Sequence, residues 1–173
     1  MSAAFRLDTK GGREIELRMG ALVAAFGDLT PLMDGFGLTL ESATIDAFDT
    51  ETAPDGTRWT PSLRARQDGG KTLSDTAQLR GSITSQAGAD SVEVGTNKIY
   101  AGVHQFGATI RAKTAKGLRF QLPGGLGFRR VMSVEIPARP FLGLSAASGE
   151  ELLAQAEDYA RAQMGPTSGG SGA

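Results

Sequence analysis

The chain has 173 residues, a hydrophobic content of 40%, a formal net charge of −1 and no cysteine. This length suffices for one domain with a real hydrophobic core, and the lack of cysteine excludes a disulfide framework, a thiolate metal site and a cysteine nucleophile. The near-neutral charge argues against bulk electrostatic binding of nucleic acid, and no apolar run approaches the ~18 residues of a membrane-spanning helix, so we expect no membrane partner.

Helical periodicity dominates the first fifty residues. Apolar side chains recur at helical spacing over residues 12–27, and a second helix is predicted over residues 31–49. The apolar stripe of this second helix contains Leu32, Phe36, Leu40, Ala43 and Ala47. We therefore expect an N-terminal part, residues 1–50, that is helical.

A loop follows over residues 50–70, where Pro54-Asp55-Gly56 is a turn signal. This loop contains the only tryptophan, Trp59, which we expect to anchor the loop onto the core or onto a neighbouring subunit. A short helix is predicted over residues 76–85, with Asp75 as its N-cap.

The apolar period then changes to two, which predicts half-buried strands over residues 91–94, 118–122 and 132–136. Because Pro123-Gly124-Gly125 is a turn signal, residues 118–136 are predicted to form one long hairpin. Its polar side is predicted to carry Arg119, Arg129 and Arg130. Residues 99–106, between these strands, are predicted to form a helical turn or short helix.

The last predicted helix begins at a capping box made by Ser148 and Glu151. Together the elements predict an α+β fold with N-terminal helices, a small and mostly antiparallel sheet with one long hairpin, and a C-terminal helix packed on the sheet. We expect residues 1–164 to form this domain and residues 165–173, rich in glycine and serine, to form a flexible tail.

Charge is divided unevenly along the chain. Residues 28–55 contain seven acids and no Lys or Arg, whereas residues 98–139 contain eight bases and one acid. One interpretation is two solvated faces of opposite sign. The other is a chain that attracts copies of itself head to tail, an arrangement that closes into rings.

Two short segments imitate ligand-binding motifs without matching them. Gly69-Gly70-Lys71-Thr72 is similar to the end of a phosphate-binding loop, but Ala65 occupies the position of the first glycine and no apolar strand precedes it. The acids Asp49, Glu51 and Asp55 lack the spacing of a calcium-binding loop. We expect a flexible loop and a solvated acidic loop at these two places.

His104 is the only histidine, and no nucleophile or orienting partner is specified for it. A packed histidine, hydrogen-bonded within its own segment, is favoured over a hydrolase site or a metal site. We therefore expect no enzyme activity, no cofactor and no metal. A nucleic-acid-binding protein that uses the basic stripe of residues 111–130, where Phe120 and Phe128 interleave, stays the alternative.

Several short segments occur in a distinctive order. They are Trp59-Thr60-Pro61, Gln78-Leu79-Arg80-Gly81-Ser82-Ile83, Val94-Gly95-Thr96-Asn97, Tyr100-Ala101-x-x-His104-Gln105-Phe106-Gly107 and Ile136-Pro137-Ala138-Arg139-Pro140-Phe141-Leu142-Gly143. Together they resemble the phage virion morphogenesis family, the tail-completion proteins of Mu-like and related long-tailed phages. One departure is Ala77, where the family usually has a glycine.

The resemblance implies a structural protein of the virion neck, assembled in the host cytoplasm, which completes or terminates the tail. The implied partners are other copies of the chain in a sixfold or twelvefold ring, the tail-tube protein, a head connector or head-closure protein and, non-specifically, the packaged DNA in the channel.

Two groups of residues are assigned within this interpretation. We expect a subunit or partner interface to contain Trp59, Arg119, Phe128, Arg129, Arg130 and Arg139, with the acids Asp46, Asp49 and Glu51 of the next copy. We expect a structural motif to contain Tyr100, His104, Gln105, Phe106, Pro137, Pro140 and Phe141.

Overall fold

The computed structural model describes residues 27–164 and five earlier positions, namely Arg13, Leu17, Gly20, Val23 and Ala24. These five positions are helical. The apolar residues on which the first predicted helix rests, Ile15, Met19, Leu22 and Phe26, lie outside the described residues, as does the tail predicted over residues 165–173.

Helix α1 spans Thr30–Thr50 and forms the centre of the fold. Asp28 begins it by accepting hydrogen bonds from the Thr30 N–H at 2.8 Å and from the Thr30 hydroxyl, and Glu51 ends it in a left-handed conformation. The helix predicted over residues 31–49 is therefore confirmed. Its buried face differs from the predicted stripe, because Met33, Thr44 and Phe48 are buried whereas Leu40 and Ala43 are only half-buried.

A first antiparallel hairpin packs on α1. It consists of β1, Ile83–Ala87, and β2, Val92–Thr96. Gly37 of α1 allows this approach, because a Cβ atom there would lie 2.5 Å from Ser85 Oγ. The strand predicted over residues 91–94 is thus confirmed as β2.

The helix predicted over residues 76–85 is wrong. Only Arg80–Ser82 form a 3-10 turn, and β1 begins immediately after it at Ile83. Ala77 has a φ of +54°, a left-handed conformation that no helix interior accepts. A single apolar pair, Leu79 and Ile83, was too short a pattern to separate a helix from a turn that enters a strand.

Two short helices frame the next part of the chain. Helix α2 spans Leu63–Asp68, and the Ser62 hydroxyl caps it by accepting from the Ala65 N–H at 3.1 Å. Helix α3 spans Ala101–Phe106, which confirms the short helix predicted over residues 99–106.

A second, longer β element consists of four strands, which we call the arm. They are β3, Ala108–Arg111; β4, Leu118–Gln121; β5, Phe128–Val131; and β6, Ser133–Ile136. β3 pairs with β6, and β4 pairs with β5. The Ala112 N–H donates to the Met132 carbonyl at 2.8 Å and links the two ladders.

The arm corrects the hairpin predicted over residues 118–136. The second half of the predicted hairpin, β6, pairs with β3 rather than with β4. β3 was not predicted, because this strand has only four residues and three of them are exposed. The two sides of the arm are unequal, since residues 112–117 on one side lie opposite Met132 alone on the other. A turn with left-handed Gly124 and Gly125 joins β4 to β5.

Helix α4 spans Ala146–Met164. Its N-terminus is capped by Ser145, whose hydroxyl accepts from the Ser148 N–H at 3.0 Å, so the predicted cap at Ser148 is wrong by three positions. The sequence repeats Ser at both positions, and Glu151 turns instead towards Thr39 of α1.

Two hydrophobic clusters form the core. One lies where α4 meets α1, and contains Leu29, Leu32, Met33, Phe36, Leu152 and Ala156. The other lies at the opposite end of α1, and contains Ala47, Phe48, Ala53, Trp59, Leu79, Ile83, Ala101, Phe141 and Leu142. The α+β class is confirmed, with helices towards both ends and small antiparallel sheets between them. Within the described part of the chain, no helix is long and apolar enough to cross a bilayer.

We predict that Ala77→Gly stabilises the protein. A non-glycine residue at a φ of +54° is strained by about 1–2 kcal/mol, and relief of this strain exceeds the ~0.4–1 kcal/mol lost through a freer unfolded chain. The free energy of unfolding, measured in urea, should rise by about 0.5–1 kcal/mol.

Ala115→Gly is the matched control, because Ala115 is exposed and does not have a positive φ. It should not stabilise the protein. An equal gain in both variants would contradict the explanation from backbone strain.

Candidate assembly interface

Gln105 of α3 is a buried polar side chain, 4% exposed, that binds a neighbouring main chain. Its Oε1 accepts hydrogen bonds from the N–H groups of Phe141 at 3.0 Å and Leu142 at 3.1 Å. Its Nε2 donates to the Leu142 carbonyl at 2.8 Å. One amide therefore satisfies three buried main-chain groups that would otherwise lack partners.

Arg139 and Trp59 add hydrogen bonds between the segments that lie around Gln105. Arg139 Nε donates to the Thr60 carbonyl at 2.7 Å, and the Arg139 N–H donates to the His104 carbonyl at 2.7 Å. Trp59 Nε1 donates to the Pro140 carbonyl at 2.8 Å. Three distant segments, residues 59–60, 104–105 and 139–142, thus form one hydrogen-bonded cluster, which we call the motif junction.

Aromatic rings fill the space beneath the motif junction. The Phe48 ring lies 5.6 Å from the Trp59 ring in an edge-to-face arrangement and 5.2 Å from the Phe141 ring. Phe48 and Phe141 are both almost fully buried. The junction is therefore a polar layer on an aromatic core, which fixes the directions of its segments.

The arm begins and ends at the motif junction. β3 starts directly after Gly107, and β6 ends directly before Pro137. Gly107 has a φ of +72°, and a Cβ atom there would lie 2.8 Å from the Ala138 nitrogen and 3.0 Å from the Ile136 carbonyl oxygen. Only glycine fits this close crossing, so the junction sets where the arm leaves the body.

Four residues that were expected at an interface are engaged within their own chain. Trp59 and Arg139 are only 5% and 6% exposed. Trp59 therefore anchors its loop onto the core, one of its two expected roles, and the structure corrects the alternative in which these two residues contact a partner. Asp49 pairs with Lys71 at 3.0 Å and Arg80 at 2.7 Å, and the hydrogen bond from Lys71 lowers the Asp49 pKa most. Glu51 accepts from the Thr72 N–H, a hydrogen bond that lowers its pKa.

The arm presents the other expected residues. By the register of β4 and β5, Arg119, Gln121, Phe128 and Arg130 share one side, and all four are exposed; we call this side the arm face. The Arg119 guanidinium lies 4.0 Å from the centre of the Phe128 ring. Arg129 points to the opposite side, so the prediction that the three arginines share one side is wrong.

The remaining motif residues lie around the base of the arm. Tyr100 and Phe106 keep exposed rings, Pro137 is exposed, and Pro140 is half-buried. His104 lies edge-on to Tyr100, with ring centres 6.1 Å apart. Its Nδ1 is buried and has no hydrogen-bond partner in the described structure, which contradicts the expected hydrogen bond within its own segment. Burial, and then the charge of Arg139, lower the His104 pKa and favour a neutral ring.

A groove between α1 and the start of α4 was not foreseen. It has a volume of about 430 Å³ and is lined by Thr39, Ala43, Asp46, Ala147 and Glu151 among others. Asp46 is exposed and has no ion pair with a described residue. The groove depends on how two distant helices pack, so no local pattern in the sequence could predict it. In the described residues, no group of three or more His, Cys, Asp or Glu side chains could hold a metal ion.

A family model and two relatives match more than half of the chain. The model of the phage virion morphogenesis family matches residues 11–160. The chain is 33% identical to the Mu-like prophage FluMu G protein 2 of Haemophilus influenzae over 153 residues, which cover 88% of this chain and 94% of that protein. It is 32% identical to the putative capsid assembly protein G of Escherichia phage Mu over 123 residues, 66% of this chain and 68% of that protein. No solved structure matches the chain.

The chain belongs to the phage virion morphogenesis family. Its role is therefore in the morphogenesis of a phage virion.

We predict that Gln105→Ala strongly destabilises the protein. The substitution leaves the main-chain groups of Phe141 and Leu142 buried without partners, at about 1–3 kcal/mol for each group. The free energy of unfolding in urea should fall by about 3–5 kcal/mol.

The matched control is Gln121→Ala on the exposed arm face, which should change the free energy of unfolding by less than about 0.5 kcal/mol. A loss below about 1 kcal/mol in Gln105→Ala would show that the three hydrogen bonds of the Gln105 amide are not important for the fold.

We also predict that stability falls as the pH falls below the ordinary histidine pKa of 6.5. Because the folded pKa of His104 is lowered, the unfolded chain binds the proton first, so the stability that the neutral ring contributes is complete above 6.5 and is lost as the pH falls through the folded pKa. The measurement is urea unfolding from about pH 7.5 to about pH 5.5.

His104→Gln is the control, since it removes the only histidine. Its stability should depend less on pH in this window. The carboxyl groups with lowered pKa values, such as Asp28 and Glu51, start from ordinary values of 3.8 and 4.5 and lose their contribution at lower pH. Equal slopes for both proteins would contradict the assignment to His104.

Proposed function

We propose that the protein forms a ring at the virion neck, where it completes the tail and joins it to the head connector. Membership of the virion morphogenesis family supports a role in building the particle. The phage Mu relative is named a putative capsid assembly protein, which is compatible with a role where the tail meets the head.

The observation that carries the proposal is the arm. Phe128 and Leu126 are 61% and 63% exposed near its turn, and Met132 is exposed in its middle. Exposed aromatic and arginine side chains on a rigid element are typical of the centres of protein interfaces. Because the motif junction fixes the base of the arm, the exposed side chains are preorganised, and less conformational entropy is lost when a partner binds.

Arm and body carry opposite charges, which supports assembly from identical copies. Residues 108–136 contain six bases and one acid, whereas α1 contains four acids and no base. A contact between two different surfaces of the same chain is heterologous, and such contacts close into rings when the rotation permits. A ring of basic arms would also attract the DNA that passes through the neck, without reading its sequence.

A second candidate is nucleic-acid binding by the isolated chain. It is favoured by Phe128, an exposed ring on the same side as Arg119 and Arg130, since such a combination binds bases and phosphates. Filter binding at low salt distinguishes the two candidates. Tight binding by a monomer, abolished by Arg119→Ala with Arg130→Ala, would favour this second function.

We predict that a phage strain lacking the gene produces filled heads and tails that fail to join normally. The expected defect follows from the absence of a neck component, and negative-stain electron microscopy of purified particles measures it. Expression of the wild-type chain from a plasmid should restore joined particles. Complete virions from the deletion strain would rule out the proposed place in the neck.

A further inference from the structure

The arm face is a patch of positive charge that no carboxylate of the described residues neutralises in an ion pair. Elsewhere Arg64, Lys71, Arg80 and Arg161 form ion pairs with carboxylates. None of the six bases of residues 108–136 has an ion pair with a described residue. The Arg119 guanidinium lies over the ring of Phe128. Of the β4 and β5 residues on the other side of the arm, Leu118, Phe120 and Val131 are half-buried and only Arg129 is exposed. The arm face, with four exposed residues, is therefore the side more open to a partner.

The groove between α1 and α4 has complementary properties. Asp46 contributes a carboxylate from α1, and Glu151 contributes one from α4. The described residues that line the groove include no base. Between the two acids the walls carry small side chains, Ala43 and Ala147, and the buried Phe141 also lines the groove. An aromatic ring flanked by cations complements the small apolar side chains and the two carboxylates of this surface.

We propose that the arm face of one copy docks into the groove of the next copy. Phe128 lies over Ala43 and Ala147, while Arg119 and Arg130 pair with Asp46 and Glu151 across the interface. Each chain carries an arm face and a groove, so every copy inserts its arm face into one neighbour and receives the arm face of another in its groove. This contact is the bond between neighbours in the proposed ring, and it rests on that proposed function.

Charge decides between the two macromolecules that would match the arm face. Nucleic acid satisfies the arginines but is repelled by Asp46 and Glu151, so it leaves the groove without an occupant. A second copy satisfies both surfaces at once, because each copy supplies two arginines on its arm face and two carboxylates in its groove. The occupant that accounts for both observations is therefore another copy of this chain.

Disulfide cross-linking tests the contact directly, because the chain has no cysteine of its own. The Gln121→Cys variant carries a thiol on the arm face, and the Ala147→Cys variant carries one in the groove. When the two purified variants are mixed and oxidised mildly, docking should raise the effective concentration of the thiols and speed heterodimer formation at least about tenfold over a control pair. The control pair is Gln121→Cys with Thr84→Cys, which is exposed on β1 away from the groove.

Charge exchange supplies an independent measurement. Arg130→Glu or Asp46→Lys alone should weaken self-association, measured by sedimentation velocity, at least about tenfold, and the double variant should regain it because the pair is reversed rather than removed. Lys113→Glu makes the same charge change on the arm outside its face and should leave self-association within about twofold of wild type.

Equal cross-linking rates for both thiol pairs, or a double variant as weak as the single variants, would overturn the proposal. So would tight binding of a DNA oligonucleotide that is lost in Arg130→Glu without preferential cross-linking to the groove. These failures differ from failure of the neck assignment. Unselective cross-linking removes this contact and leaves the phenotype of the deletion strain unchanged, whereas complete particles from that strain remove the neck and leave the cross-link intact.

Discussion

The amide of Gln105 binds a segment of extended main chain as if it were a neighbouring strand. It offers two acceptor contacts and one donor contact to residues 141–142, and no other described side chain replaces it there. Arg139 and Trp59 then fasten the flanking residues to the loop at residues 59–60. Because each of these bonds is buried or nearly so, removing one partner leaves a costly unsatisfied group. Three of the five short segments on which the resemblance rests, residues 59–61, 100–107 and 136–143, therefore meet at the motif junction.

The motif junction also connects these segments to the base of the arm. Gly107 and Pro137 stand at the two places where the chain passes from the motif junction into the arm. A rigid base lowers the entropy lost when an exposed element docks. Residues with no contact to a partner can thus influence the affinity for that partner. The sequence of the arm can also change while the motif junction at its base stays the same.

Long, periodic elements were predictable from sequence, and contacts between distant segments were not. Helix α1 is predictable because its helical period is sustained over residues 31–49, and β2 because Val92 and Val94 alternate with the polar Ser91 and Glu93. The pairing of β3 with β6 was missed, because four mostly exposed residues give no alternation to read. Residue type alone leaves both a core role and an interface role open for Trp59, and an interface or an internal ion pair open for Arg139, because their burial depends on how three distant segments meet. The preference for glycine at position 77 has a physical reason that only the φ angle of Ala77 reveals.

The unequal sides of the arm have a consequence for how relatives diverge. Residues 112–117 form an excursion opposite a single residue, Met132, and both ladders keep their register on either side of it. Lengthening a solvent-exposed excursion costs little closure entropy, about 0.6 kcal/mol for each doubling. Insertions or deletions at this point would alter the reach and tilt of the distal strands while the body folds as before. One body could therefore carry arms of different reach through changes in these six positions alone.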